Sequence, residues 1–129
     1  MTVVASACCC GQTCRWHGRP TRKSKTIRDL EARGIRVVPV CPEMLGGLLC
    51  PRPPVRSRRG TIWQTDKTRT ALLRDVTDAF RRGAALAVQE AKRVRAAAAY
   101  LFRLSPSCAP GGIAGRAFAA AGIEVVPIW

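Results

Sequence analysis

Cys8, Cys41 and Cys108 each stand just after an apolar run, over residues 2–7, 35–40 and 97–104 respectively. Thiolates are nucleophiles and soft metal ligands. If the three runs are buried parallel strands, their carboxyl ends share one sheet edge, and open α/β sheets bind ligands at that edge. Three thiolates meeting there make a metal site that keeps one position for a substrate. Glu43 lies two residues past Cys41, close enough to address whatever occupies that position, and a carboxylate there can activate water. The competing reading is that the three cysteines are small buried hydrophobes.

The remaining cysteines are Cys9, Cys10, Cys14 and Cys50. Cys8-Cys9-Cys10 is contiguous, which is poor disulfide geometry, and the total of seven is odd. Ala5-Ser6-Ala7-Cys8 has the look of a lipobox without the basic start and long apolar region of a signal. No stretch approaches the ~18 apolar residues of a membrane span. The chain is therefore expected to be cytoplasmic and reduced, where clustered cysteines bind metal or react rather than cross-link.

The 22 Lys+Arg against 8 Asp+Glu give a net charge of +14. That balance marks either a nucleic-acid partner or an Arg-rich solvated surface. Aromatic residues do not interleave with the basic ones as a stacking platform requires. The basic run Arg56–Arg59 is read as a solvated loop face.

These residues must be positioned by a scaffold. The 129 residues fit one domain, residues 1–129, with a core of Ala, Val, Leu and Ile, because only 5% are aromatic. Residues 2–7 read as a first strand and residues 11–25 as a loop. Thr26 can cap a short helix through Ile27 and Leu30 that stops at Gly34, before a strand ending at Cys41. Residues 42–60 hold so many Pro and Gly residues that no regular element is expected, and residues 61–74 could form a small hairpin. Val76, Phe80, Ala84, Ala87, Ala91 and Val94 recur at steps of three and four, which predicts a helix over Thr77–Arg93. A strand ending near Leu104, a helix over 112–121 and a strand over 123–128 follow, with no evident repeat. The alternation implies an α/β fold, a Rossmann-like, mostly parallel sheet with flanking helices.

Four signatures recur in a fixed order. They are Ser6-Ala7-Cys8 with Gly11 and Cys14-Arg15-Trp16-His17-Gly18; Cys41-Pro42-Glu43; Gly46-Gly47 running into Pro51-Arg52-Pro53-Pro54; and Ser105-Pro106-Ser107-Cys108. In this order and spacing the chain resembles the bacterial thiouracil desulfidase family, well over residues 2–108 and loosely over 122–126. The resemblance implies a [4Fe-4S] cluster held by Cys8, Cys41 and Cys108 with one open iron site. It also implies removal of sulfur from a thiocarbonyl base, with Glu43 and Ser105 at the acid/base and proton-relay positions. Cluster ligation by thiolates, and a soft Lewis-acidic iron for sulfur, agree with the reading of the residues themselves.

The chain departs from the family pattern at several points. Cys9 and Cys10 replace apolar residues and read as packing. Cys14 reads as a non-ligand, since a fourth protein ligand would close the site. His17 stands where Asp is common and reads as a solvated loop residue, Cys50 as incidental, and Arg52 either as an anion clamp or as a solvent-facing residue. Ala109 replaces Gly. The stretch from Cys108 to Gly122 lacks a loop that would cover the pocket, leaving residues 45–60 and Arg15-Trp16-His17 as the candidate cover. The expected function is desulfuration of a thiolated pyrimidine, 2-thiouracil to uracil and sulfide. The alternative is a non-catalytic, basic, cluster-bearing module that binds RNA or an acidic partner.

Overall fold

The computed structural model describes all 129 residues. Strands β1 (Thr2–Ser6), β2 (Arg36–Val40), β3 (Val55–Arg58), β4 (Thr61–Thr65), β5 (Leu72–Asp75), β6 (Ala98–Phe102) and β7 (Glu124–Ile128) alternate with helices α1 (Lys25–Ala32), α2 (Pro42–Leu45), α3 (Thr77–Arg93) and α4 (Ile113–Ala120). A parallel four-stranded sheet runs in the order β2-β1-β6-β7. The chain leaves β1 for β2 on one side and reaches β6 and β7 on the other. The order of connection therefore reverses between β1 and β6, where doubly wound sheets open a crevice at the carboxyl ends of their strands.

Successive side chains of β1 serve opposite faces. Val3 and Ala5 pack with Ile27 and Leu30 of α1. Val4 packs with Ala84, Ala87 and Ala91 of α3 and with Phe118 of α4. The helix predicted over Thr77–Arg93 has those bounds, because its alanine stripe is the face laid on the sheet. The two sheet edges carry nearly the same segment, Gly34-Ile35-Arg36-Val37-Val38-Pro39-Val40 and Gly122-Ile123-Glu124-Val125-Val126-Pro127-Ile128, which corrects the expectation of no internal repeat. Each proline withholds an N–H on an edge strand, which blunts pairing with a further strand.

The stretch expected to lack regular structure contains two elements. Pro42 opens α2 at its first turn, where a missing N–H costs nothing. The basic run is not a loop face: Val55–Arg58 is a strand, and it pairs antiparallel with β4 across a turn at Arg59-Gly60, both with positive φ. Two adjacent positive-φ residues are what a tight hairpin requires. Together β3, β4 and β5 form a second, antiparallel sheet, one strand more than the expected hairpin. Its Ile62 packs with Val76 and Phe80 at the start of α3.

Candidate functional site

A cavity of about 400 Å³ opens at the carboxyl edge of the parallel sheet and is lined by Cys8, Cys41 and Cys108 together with Glu43 and Ser105. The topology explains the convergence. Cys8 lies in a single 3₁₀ turn, Ala7–Cys10, that leaves β1 and ends at Gly11 in the left-handed region. Cys41 follows β2 and stands just before α2, which carries Glu43. Ser105 and Cys108 follow β6, the strand on the other side of β1. Cys8 and Cys108 are buried and Cys41 is half-buried.

Cys14 also lines the cavity, with its thiol in contact with those of Cys8 and Cys41. The site therefore holds four thiols. Cys14 reads from the sequence as a non-ligand, and the structure sets its thiol beside those of Cys8 and Cys41. The contacts pull the thiols apart electrostatically. Cys14 and then Cys9 hydrogen-bond to Cys8 and lower its pKa, with help from Arg15. Cys14 likewise lowers Cys41 to about 7. Burial pushes the Cys108 thiol up to about 12. No three His, Cys, Asp or Glu side chains close on the position of a single metal ion. Cys9 packs in the core as expected, and Cys10 packs against it. The Cys50 thiol donates to the Arg15 carbonyl at 3.2 Å.

Arg52 is 8% exposed, so its side chain does not face solvent. Its Nε donates to Glu43 Oε1 at 3.1 Å, Nη1 to Leu49 O at 3.1 Å and Nη2 to Cys14 O at 2.9 Å, while its backbone N–H donates to Trp16 O at 2.7 Å. One guanidinium thus joins the Cys14–Trp16 loop, α2 and the loop after it. The second carboxylate oxygen, Oε2, accepts from Ser105 Oγ at 3.5 Å. Ser105 Oγ itself accepts the N–H groups of Ser107 and Cys108, both at 3.1 Å, so its own proton is left for Glu43. Burial raises the Glu43 pKa, against the opposing pull of Arg52.

The remaining walls come from residues with weaker sequence signals. The Arg15 guanidinium lies 3.9 Å from the centre of the Phe102 ring. His17 sits at the wall, with Nδ1 accepting the Arg19 N–H at 2.9 Å. Pro53, Val55 and Arg69 complete the cavity from the β3–β5 side. The expected cover is thus partly right: the Arg15–His17 segment and Pro53 contribute, and the second sheet adds Arg69.

The chain is similar to several known proteins. A family model described as 2-thiouracil desulfurase matches residues 3–125. The uncharacterized protein YbbK of Bacillus subtilis (strain 168) is 34% identical over 120 residues, covering 90% of this chain and 78% of that protein. A solved structure of the [4Fe-4S]-dependent thiouracil desulfidase TudS superposes with a TM-score of 0.81 at 30% identity, over 98% of this chain and 89% of that one.

Proposed function

The chain belongs to the 2-thiouracil desulfurase family, and from that premise we propose that it removes sulfur from a thiolated pyrimidine, converting 2-thiouracil and water to uracil and hydrogen sulfide. The observation that carries this reading is the gathering of four thiols and a buried carboxylate–serine pair around one cavity.

The donor set fits an iron–sulfur cluster. It is all thiol, the usual ligand type for such clusters, and Cys8, Cys41 and Cys108 line one cavity. Cys8, Cys41 and Cys108, one from beyond the end of each of three adjacent strands, would hold a [4Fe-4S] cluster and leave one iron without a protein ligand. When bound, such a cluster supplies a soft Lewis acid for the thiocarbonyl sulfur.

The chain's own residues handle the water and its protons. Glu43 Oε1 is held by Arg52, so Oε2 is the oxygen turned toward Ser105 and able to take a proton from water. As the water oxygen bonds to C2 of the ring, its first proton passes to Glu43 and the C=S π electrons move to sulfur; the C2–O bond then closes to the carbonyl as the carbon–sulfur bond breaks, and the two water protons leave with the sulfur as hydrogen sulfide. Burial raises the carboxylate's affinity for a proton, which makes it a stronger base near neutral pH. The Ser105 hydroxyl orients Oε2 by donating to it.

The test is anaerobic purification and reconstitution, with iron and acid-labile sulfide measured beside uracil formation from 2-thiouracil. Roughly four irons per chain with uracil and sulfide in equal amounts support the proposal; a fully loaded protein that leaves 2-thiouracil intact refutes it.

A second reading rests on Arg56, Arg58 and Arg59, exposed along one hairpin, with Trp63 paired opposite Arg56. It makes the chain a basic module that binds RNA or another acidic partner. Affinity for RNA that falls steeply with salt would favour it.

A further inference from the structure

Three arginine–aromatic pairs occur in the molecule, and one differs from the others. Arg103 lies 3.5 Å from the centre of Trp129, and Arg15 lies 3.9 Å from the centre of Phe102. Both are closed stacks. Arg69 stands 6.0 Å from the centre of Trp16. Both members of this open pair line the cavity. At 6.0 Å from Cζ to the ring centre, the guanidinium is not in contact with the indole face. A planar ring held between two faces needs about 7 Å, two contacts of about 3.5 Å, so the Arg69 side chain must swing outward by about 1 Å or more to admit one.

The open pair is built by the second sheet. Arg69 is in the turn between β4 and β5 with φ 60°, the left-handed region that a non-glycine residue enters at a cost. The Asp66 carboxylate holds the turn there. Oδ1 accepts the N–H groups of Thr70 and Ala71 at 2.9 and 3.2 Å, and Oδ2 accepts the hydroxyls of Thr68 and Thr70 at 2.9 and 3.2 Å. The Arg69 N–H donates to Asp66 O at 3.0 Å, and Arg56 Nη1 donates to Arg69 O at 3.4 Å. The backbone is pinned from both sides, while none of the three salt bridges in the molecule involves the Arg69 guanidinium. Backbone cost held in place beside a cavity points to a role at that cavity.

We infer that Arg69 and Trp16 form a clamp that takes the pyrimidine ring between guanidinium and indole at the mouth of the cavity. The inference rests on the proposed function for the identity of the ring. Guanidinium and indole both stack on planar rings, and a neutral base suits a slot that offers faces rather than an opposite charge.

The probe is uracil, the unreactive product, so that binding is read separately from turnover. In the 129-residue chain carrying Trp63→Phe and Trp129→Phe, Trp16 is the sole tryptophan, and uracil is expected to quench its emission saturably. Arg69→Met should weaken uracil binding about 3- to 30-fold, with kcat preserved and KM raised. Arg69→Gly should show the same loss while holding or raising the thermal midpoint, since glycine accepts positive φ freely. Equilibrium dialysis of labelled uracil in the otherwise unaltered chain gives the same comparison should the double tryptophan variant fail to fold. Uracil binding that leaves Trp16 unquenched, or Arg69→Met that binds as tightly as the parent, overturns the clamp. Quenching by uracil without desulfuration of 2-thiouracil would sustain the clamp and overturn the proposed function instead.

Discussion

Arg52 Nε and Glu43 Oε1 lie 3.1 Å apart with side chains 4% and 10% exposed, an ion pair sealed inside the wall of the cavity. Removing one member of a buried pair leaves the other charge uncompensated, which costs about 3–5 kcal/mol. Arg52→Gln is therefore expected to lower the thermal midpoint sharply and to free the Cys14 carbonyl that the same guanidinium holds. Glu43→Gln keeps an oxygen for Arg52 but cannot take a proton. It should retain the iron and lose ~10²–10⁴ in turnover, the usual worth of general acid–base catalysis. Iron content, melting and uracil formation on the two variants separate these outcomes, and unchanged turnover in Glu43→Gln would return Glu43 to a structural role.

Single Cys→Ser replacements at 8, 41 and 108 are expected to abolish iron binding, because the proposed ligand set takes one cysteine from beyond the end of each of three strands. Cys14→Ser and Cys50→Ser should keep it. Cys14 is the informative case, since its thiol touches both Cys8 and Cys41 while Cys108 instead contacts the hydroxyls of Ser6 and Ser105. Loss of iron in Cys14→Ser with full retention in Cys108→Ser would exchange the two in the ligand set.

The parts of this site legible in the sequence were those written locally. Apolar runs ended by cysteines located Cys8, Cys41 and Cys108, and the alanine stripe fixed α3, because burial against a flat sheet imposes a period that side chains must follow. Density of proline misled over residues 42–60. Pro42 suits a helix start and Pro53-Pro54 precede a strand without entering it. Arg52 lies among those prolines, and nothing in its neighbours signals that its guanidinium turns inward to meet Glu43, nine residues earlier. Arg69 was invisible for a different reason. It reaches the cavity only because a second sheet, folded on the start of α3, brings a turn back over Trp16.

The crossing of α2 and α3 offers a way to move Glu43 without altering it. A Cβ at Gly83 would collide with the Pro42 carbonyl, and one at Gly46 with the Ala79 carbonyl. These obstacles are backbone, so they cannot swing aside. Gly83→Ala should force α2 away from α3, at about 1–3 kcal/mol for overpacking, and carry Glu43 out of register with Arg52 and Ser105. Gly122→Ala is the control, since it meets nothing within 4 Å and suffers only from φ 77°. Both variants should melt earlier, and only Gly83→Ala should lose turnover beyond its loss of folded protein. Equal turnover per folded molecule in the two would show that the helix contact does not position Glu43.

Asp75 links β5, α3 and β4 through one chain of hydrogen bonds, and that chain should be readable in the acid stability of the protein. Asp75 Oδ1 accepts the Thr77 N–H at 2.9 Å and the Thr77 hydroxyl at 2.7 Å, and Thr77 Oγ1 in turn accepts the Ile62 N–H at 2.9 Å. Hydrogen bonds from the Thr77 side chain and then its backbone hold the Asp75 carboxyl below the ordinary value. A carboxylate whose folded pKa is depressed binds fewer protons folded than unfolded in the interval between the two values. Its contribution is therefore complete above the unfolded pKa of about 3.9 and is lost as pH falls through the folded value. Asp75→Asn should lower the thermal midpoint at pH 7, and the gap to the parent should close as pH drops below about 3.9. Melting curves collected from pH 7 to pH 2.5 on both proteins read this directly, and a gap that stays constant across that range would mean that the Asp75 charge does not stabilise the junction.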